Sequence, residues 1–218
     1  MSFELSSRPA EAEITFFMPA DSVLSIVQRI IASCADSRIT LPGKGGVVIF
    51  PGLGEYYANV RDMAEFCQAP ATQFEITGWN ETTPPSHLGI AKNIRDLLWQ
   101  TAFHSSRGRL VEGRSKYDVV QFRHWPNVTR LPVSPNTVRI CALLTRHPTT
   151  IMFVHRLLGI SKEEVYQNYS AAVSAGIANV ISSHSEATVF KPDEIEAQPE
   201  PVQHRGLFRS LFAKISGL

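Results

Sequence analysis

Apolar positions along this chain change their period several times, and each change predicts an element. Val23, Leu24, Val27, Ile30, Ile31 and Cys34 recur at helical spacing. They follow a Pro19-Ala-Asp-Ser22 start cluster in which Asp21 or Ser22 can cap. Before them, Ile14-Thr-Phe-Phe-Met18 reads as a short strand. Arg38–Pro42 and Val47–Phe50 also read as strands. Gly43-Lys-Gly-Gly46 between them predicts a hairpin turn, because glycine supplies the positive φ such turns need. A second helix is expected from about Val60 to Cys67, and Gln73–Trp79 alternates as a half-buried strand. Residues 13–79 therefore predict the order β-α-β-β-α-β.

A polar break, Asn80–Ser86, comes next. Ile90, Ile94, Leu97, Leu98 and Ala102 then mark an amphipathic helix, and Val119–Phe122 a strand. His124–Pro132 is irregular and proline-bounded, the composition of a connector.

Beyond it the pattern is helical again. Val138, Ile140, Cys141, Leu143 and Leu144 predict one buried helix, ended by Pro148. Ile151, Phe153, Val154, Leu157 and Leu158 predict a second, closed by Gly159 at a C-cap position. Ser161 with Glu164 forms a capping box for a third. Val165, Tyr169, Ala172 and Val173 mark its inner face, and Gly176 closes it. Ala178–Ile181 and Ala187–Phe190 can pair around Ser182–Ser185 as a wing. On these residues, and on the run Leu158-Gly-Ile-Ser-Lys-Glu-Glu-Val165, the segment 136–190 resembles the winged helix-turn-helix superfamily. The resemblance covers about a quarter of the chain. It implies a module that binds DNA or another protein, with Lys162, Tyr166, Gln167, Asn168 and Ser170 on the exposed face of its third helix.

Charge weighs on that choice. The formal net charge is only +1, so no global field draws the chain to nucleic acid or acidic lipid. Within 136–191, Arg139, Arg146, Arg156, Lys162 and Lys191 face Glu163, Glu164 and Glu186, a thin surplus for gripping phosphates. Glu163 and Glu164 also bring negative charge to the helix end nearest a groove. The pattern favours a protein partner, with DNA as the alternative.

The densest basic run is Arg107, Arg109, Arg114, Lys116 and Arg123. It suits a phosphate ligand or RNA, although the PilZ pattern for cyclic dinucleotides does not follow it. A solvated hairpin surface is the simpler and favoured explanation of the run. Gly43-Lys-Gly-Gly46 lacks the remainder of a phosphate loop, and Pro51-Gly-Leu-Gly54 is no dinucleotide fingerprint. Seven histidines are scattered without ligand spacing, and no nucleophile elbow is present, so neither a metal nor a cofactor nor a catalytic set is expected. An enzyme of unknown type stays as a third alternative.

Cys34, Cys67 and Cys141 are odd in number and far apart, which fits a reducing cytosol. No signal-peptide core and no run of about 18 apolar residues is seen. After Phe190, residues 193–204 are acidic and proline-rich, a linker composition. Leu207, Phe208, Leu211, Phe212, Ile215 and Leu218 then form one stripe on a helix over 205–218, fit to dock on its own chain, on a partner or weakly on a membrane surface. The expected chain is therefore α+β: a sensory or scaffold domain over 1–132, a winged helix over 133–192, a linker and a docking helix. The expected function is that of a non-enzymatic bacterial cytosolic signalling adaptor, with a DNA-binding regulator next.

Overall fold

Val47-Val-Ile-Phe50 has no polar position, and a strand without one must be covered on both faces. It lies at the centre of a five-stranded antiparallel sheet in a computed structural model that describes residues 15–81 and 89–183. The sheet comprises β2 (Ser37–Leu41), β3 (Gly45–Phe50), β4 (Glu55–Val60), β5 (Glu75–Gly78) and β6 (Lys92–Asn93), in the order β5-β2-β3-β4-β6. The β2–β3 hairpin forms where the glycines predict it. Gly45 sits at φ 113, and a Cβ there would meet the Asn59 carbonyl oxygen at 2.0 Å, so no other residue fits.

One face of the sheet, with Ile39, Val47, Ile49 and Tyr56, packs on α1 (Val23–Ser33) and α2 (Met63–Gln68). Ser22 caps α1, accepting from Leu24 N at 3.3 Å, and Asp62 caps α2. The other face carries a smaller cluster of Val48, Phe50 and Tyr57 with Trp79 against it. The β-α-β-β-α-β expectation omits β4, which occupies Glu55–Val60, and α2 begins at Met63 rather than Val60. Tyr56 and Tyr57 point to opposite faces, so both are buried in a strand that lacks a run of aliphatic residues.

The helix expected after the polar break is α3 (Ile94–Ser106). Ile90 precedes it and is exposed. It is not amphipathic against solvent but a wall shared by two cores. Leu97 faces the sheet side, whereas Trp99, Ala102 and Phe103 face a second core built with the last three helices. Those are α4 (Thr137–Arg146), α5 (Ile151–Leu158) and α6 (Lys162–Ser174). A short parallel pair, β1 (Phe16–Phe17) and β7 (Leu110–Val111), ties the first strand to the segment after α3.

The expected boundary at residues 132–133 falls inside packed structure. β8 (Val119–Phe122) lies before it, yet pairs antiparallel with β10 (Ala178–Ser182) and β9 (Thr149–Thr150) in a sheet of order β10-β8-β9. The described partner of β10 is thus β8, not the expected 187–190. Those residues, the linker 193–204 and the stripe Leu207, Phe208, Leu211, Phe212, Ile215 and Leu218 lie outside the described residues. All described residues belong to one unit that ends at Ser185.

Candidate functional site

Helix α6 starts as its sequence dictates. Ser161 caps it by accepting from the Glu164 amide at 3.2 Å, and Gly159 before the cap adopts φ 63 to end α5. Most of the expected exposed face is covered. Asn168 and Ser170 are 0 % exposed, Tyr166 is buried, and Lys162 and Gln167 are half-buried. Gln167 Nε2 donates to Phe103 O at 2.9 Å, and Ser170 Oγ to Arg109 O at 3.2 Å while accepting from Val111 N at 3.0 Å. These partners come from α3, β7 and the turn between them. Polar side chains on a helix predict an outward face only where nothing polar covers them. Here the α3–β7 segment covers Gln167 and Ser170 with backbone groups in need of partners. Gly108 permits this closeness: it sits at φ 78, and a Cβ would lie 2.7 Å from Glu163 Cβ.

Another side of α6 meets the start of α4. Asn168 Nδ2 donates to Ser134 Oγ at 2.8 Å, and Asn168 Oδ1 accepts from Thr137 Oγ1 at 2.7 Å. Glu164 departs from the capping box: its carboxylate accepts from Asn136 N at 2.7 Å and Asn136 Nδ2 at 3.0 Å instead of returning to Ser161. Burial alone would raise its pKa. The bonds from Asn136 and Ser134, with Arg139 nearby, outweigh it and hold the carboxyl below its ordinary 4.5. The folded state therefore binds this proton less readily than the unfolded chain. The carboxylate's stabilising contribution is complete above 4.5 and disappears as pH falls through the lower folded value. Glu164→Gln is expected to flatten the acid limb of the stability profile and to cost about 1 kcal/mol at neutral pH, discounted for partial exposure. Urea denaturation across the acid range checks this; an unchanged acid limb contradicts it.

The basic run does not form one patch. Lys116 is buried with its Nζ 5.0 Å from the Tyr117 ring centroid. Arg114 lies close enough to Tyr169 to act on its hydroxyl. Arg123 is exposed on the chain leaving β8, where its amide donates to Ile177 O. Arg107 and Arg109 alone share a site, a cleft of about 440 Å³ between the start of α1 and the ends of α2 and α3. Arg109 Nε and Nη2 donate to Ser106 O and Ser105 O at 3.0 and 3.1 Å, and its guanidinium lies over Phe17. Cys67, at the cleft wall, and Cys141 are deeply placed, and burial pushes both thiols up to about 12, far from reactive thiolates.

A different surface stands out on the outward side of α4 and α5. Val138, Phe153 and Leu157 are 51, 49 and 55 % exposed, although helical periodicity assigns all three to the core. Phe153 and Leu157 are four residues apart on one helix and share a face. Arg139 Nη2 donates to Leu158 O at 3.1 Å, joining α4 to the end of α5. Arg139, Arg146 and Arg156 are all exposed. The sequence signal for this surface is plain once the window is moved: between Asp118 and Glu163 there is no aspartate or glutamate, and five arginines lie there. A charge count that starts at residue 136 and takes in Glu163, Glu164 and Glu186 conceals it.

No helix among the described residues is long and apolar enough to cross a membrane, and those residues hold no group of three or more His, Cys, Asp or Glu placed to bind a metal. The chain matches no protein-family model, no curated protein and no solved structure.

Proposed function

We propose that this protein is a regulatory adaptor that acts by binding, and that its partner surface is the outward side of α4 and α5. The three-helix segment is read as a winged helix whose sheet borrows β8 from upstream. The succession α4, β9, α5, α6, β10 and the tight Gly159-Ile-Ser161 turn support that reading. The observation that carries the function is the pair Phe153 and Leu157, held half in solvent on one helix face with Arg156 beside them. Burying such side chains yields about 1.5–3 kcal/mol each before ordering costs. Arg146 and Arg156, with no acidic residue near them in sequence, select an acidic partner, while Arg139 also lies near Glu164. The partner is therefore an acidic protein segment with apolar anchors. Three free thiols agree with a reducing cytoplasm as its setting.

DNA is the weaker reading. A recognition helix reads bases with side chains that reach a groove, and those of α6 are engaged within the fold. A duplex held through Arg139, Arg146 and Arg156 would gain nothing from the exposed Phe153 and Leu157.

A photo-cross-linking residue at position 153, placed in the native cell, tests the proposal. It is expected to capture an acidic protein. Phe153→Glu and Leu157→Glu should each weaken that complex by about 2 kcal/mol or more, roughly thirtyfold, with thermal stability unchanged. Capture of nucleic acid, or a complex indifferent to both substitutions, overturns it.

A further inference from the structure

We infer that the cleft between Arg107 and Arg109 binds a small phosphate monoester with an apolar body. Four observations converge on it. The cleft volume, about 440 Å³, falls within the range of small-molecule sites. Two guanidiniums line it, and among the described residues neither arginine is ion-paired to a carboxylate. Asp21, also in the lining, is the one acidic residue of the cleft. Phe17, Met18 and Pro70 supply apolar wall, and Met18 is substantially exposed.

The fourth observation is Arg107 itself. It ends α3 at φ 48, the left-handed conformation that a helix terminus usually gives to glycine. A side chain there is costly, and such residues concentrate at ligand clamps. Its single bond, Nη2 to Gln68 O at 3.4 Å, is long and exposed. That bond does not account for an arginine at this position. The guanidinium also lines an adjoining cleft of about 320 Å³, so it stands at the junction of two hollows.

Helix-end carbonyls surround these arginines, and their dipoles favour cations. Each helix end carries about half a unit of negative charge at most, and α2 is short. Two whole positive charges exceed that. The carbonyl bonds use two of the five N–H groups of Arg109 and fix its plane, as a preorganised site requires. A dianion matches two guanidiniums better than a carboxylate does, and a phosphate monoester is close to a dianion near neutral pH.

Phenyl phosphate, inorganic phosphate and phenol, titrated into the full chain at constant ionic strength, test this by amide NMR. Phenyl phosphate is expected to shift Gln68, Ser105, Gly108 and Arg109 saturably and to bind more tightly than inorganic phosphate, with phenol giving no saturable shift. Arg107→Gln should weaken phenyl phosphate roughly tenfold. Arg107→Gly should weaken the same binding by at least as much while the melting temperature holds or rises, because glycine suits φ 48. A fall in melting temperature for Arg107→Gly would mark the arginine as structural and overturn the inference. So would phenyl phosphate binding that neither substitution weakens, or shifts that sodium chloride reproduces.

Discussion

Trp99→Ala is expected to remove about 3–5 kcal/mol of unfolding free energy, the range for deleting a fully buried large aromatic. Against a total stability of about 5–15 kcal/mol, that approaches loss of the folded state at body temperature. Trp99 is fully buried, stacks on Phe103 with centroids 6.5 Å apart, and donates its indole N–H to Pro132 O at 3.0 Å. It thus joins α3 to the connector that leads into α4. The cavity would open in the core that α3 shares with α4, α5 and α6. Urea denaturation read by far-UV dichroism measures the effect. Trp99→Phe should lose less, since it keeps most of the ring and gives up the bond to Pro132. A loss below about 1 kcal/mol for Trp99→Ala would show that α3 does not hold the two cores together.

Asn168→Ala is expected to cost about 2–4 kcal/mol, from two or three buried groups left without partners at about 1–3 kcal/mol each. Asn168 donates to Ser134 Oγ and to Glu164 O, and accepts from Thr137 Oγ1. Its removal frees the N-terminus of α4 from α6. Amide exchange should accelerate at Thr137–Ile140 before it does in α6. A double-mutant cycle with Thr137→Val isolates the pair, with a coupling of about 0.5–3 kcal/mol expected. Additive losses would mean that the two side chains act independently, contrary to the 2.7 Å bond between them.

Both effects arise from positions whose polarity or shape gives no clue to their depth. Asn168 and Ser170 sit on the side of α6 that periodicity sends to solvent, because their partners lie about 30 and 60 residues upstream. Phe153 and Leu157 show the reverse: their hydrophobicity assigns them to the core, and packing leaves them outside. Helical wheels assume one buried stripe per helix. α6 is enclosed on several sides and α5 has only one side to bury, so the assumption fails for each in the opposite direction. Strand β4 was hidden for a related reason: its two central tyrosines go to opposite faces, and the alternation of apolar and polar residues is lost.

Of the candidate binding residues, Arg107 and Arg109 are neighbours in sequence and remain neighbours in the cleft. Lys116 and Arg123 belong to the same basic run but diverge, since β7 and the turn to β8 carry the chain away.

Local chemistry in the chain is enough to determine the α+β class, the β2–β3 hairpin, the start of α6 and the stops of the last three helices, whereas the start of α4 is held by Glu164 and Asn168 of α6. Caps, glycines and prolines act over a few residues, and their energetics need no distant partner. Which faces those helices show to water is another matter. That is decided by α3, β7 and β8 folding onto a later part of the chain, because burial is a property of what arrives from elsewhere, and no window of neighbouring residues contains it.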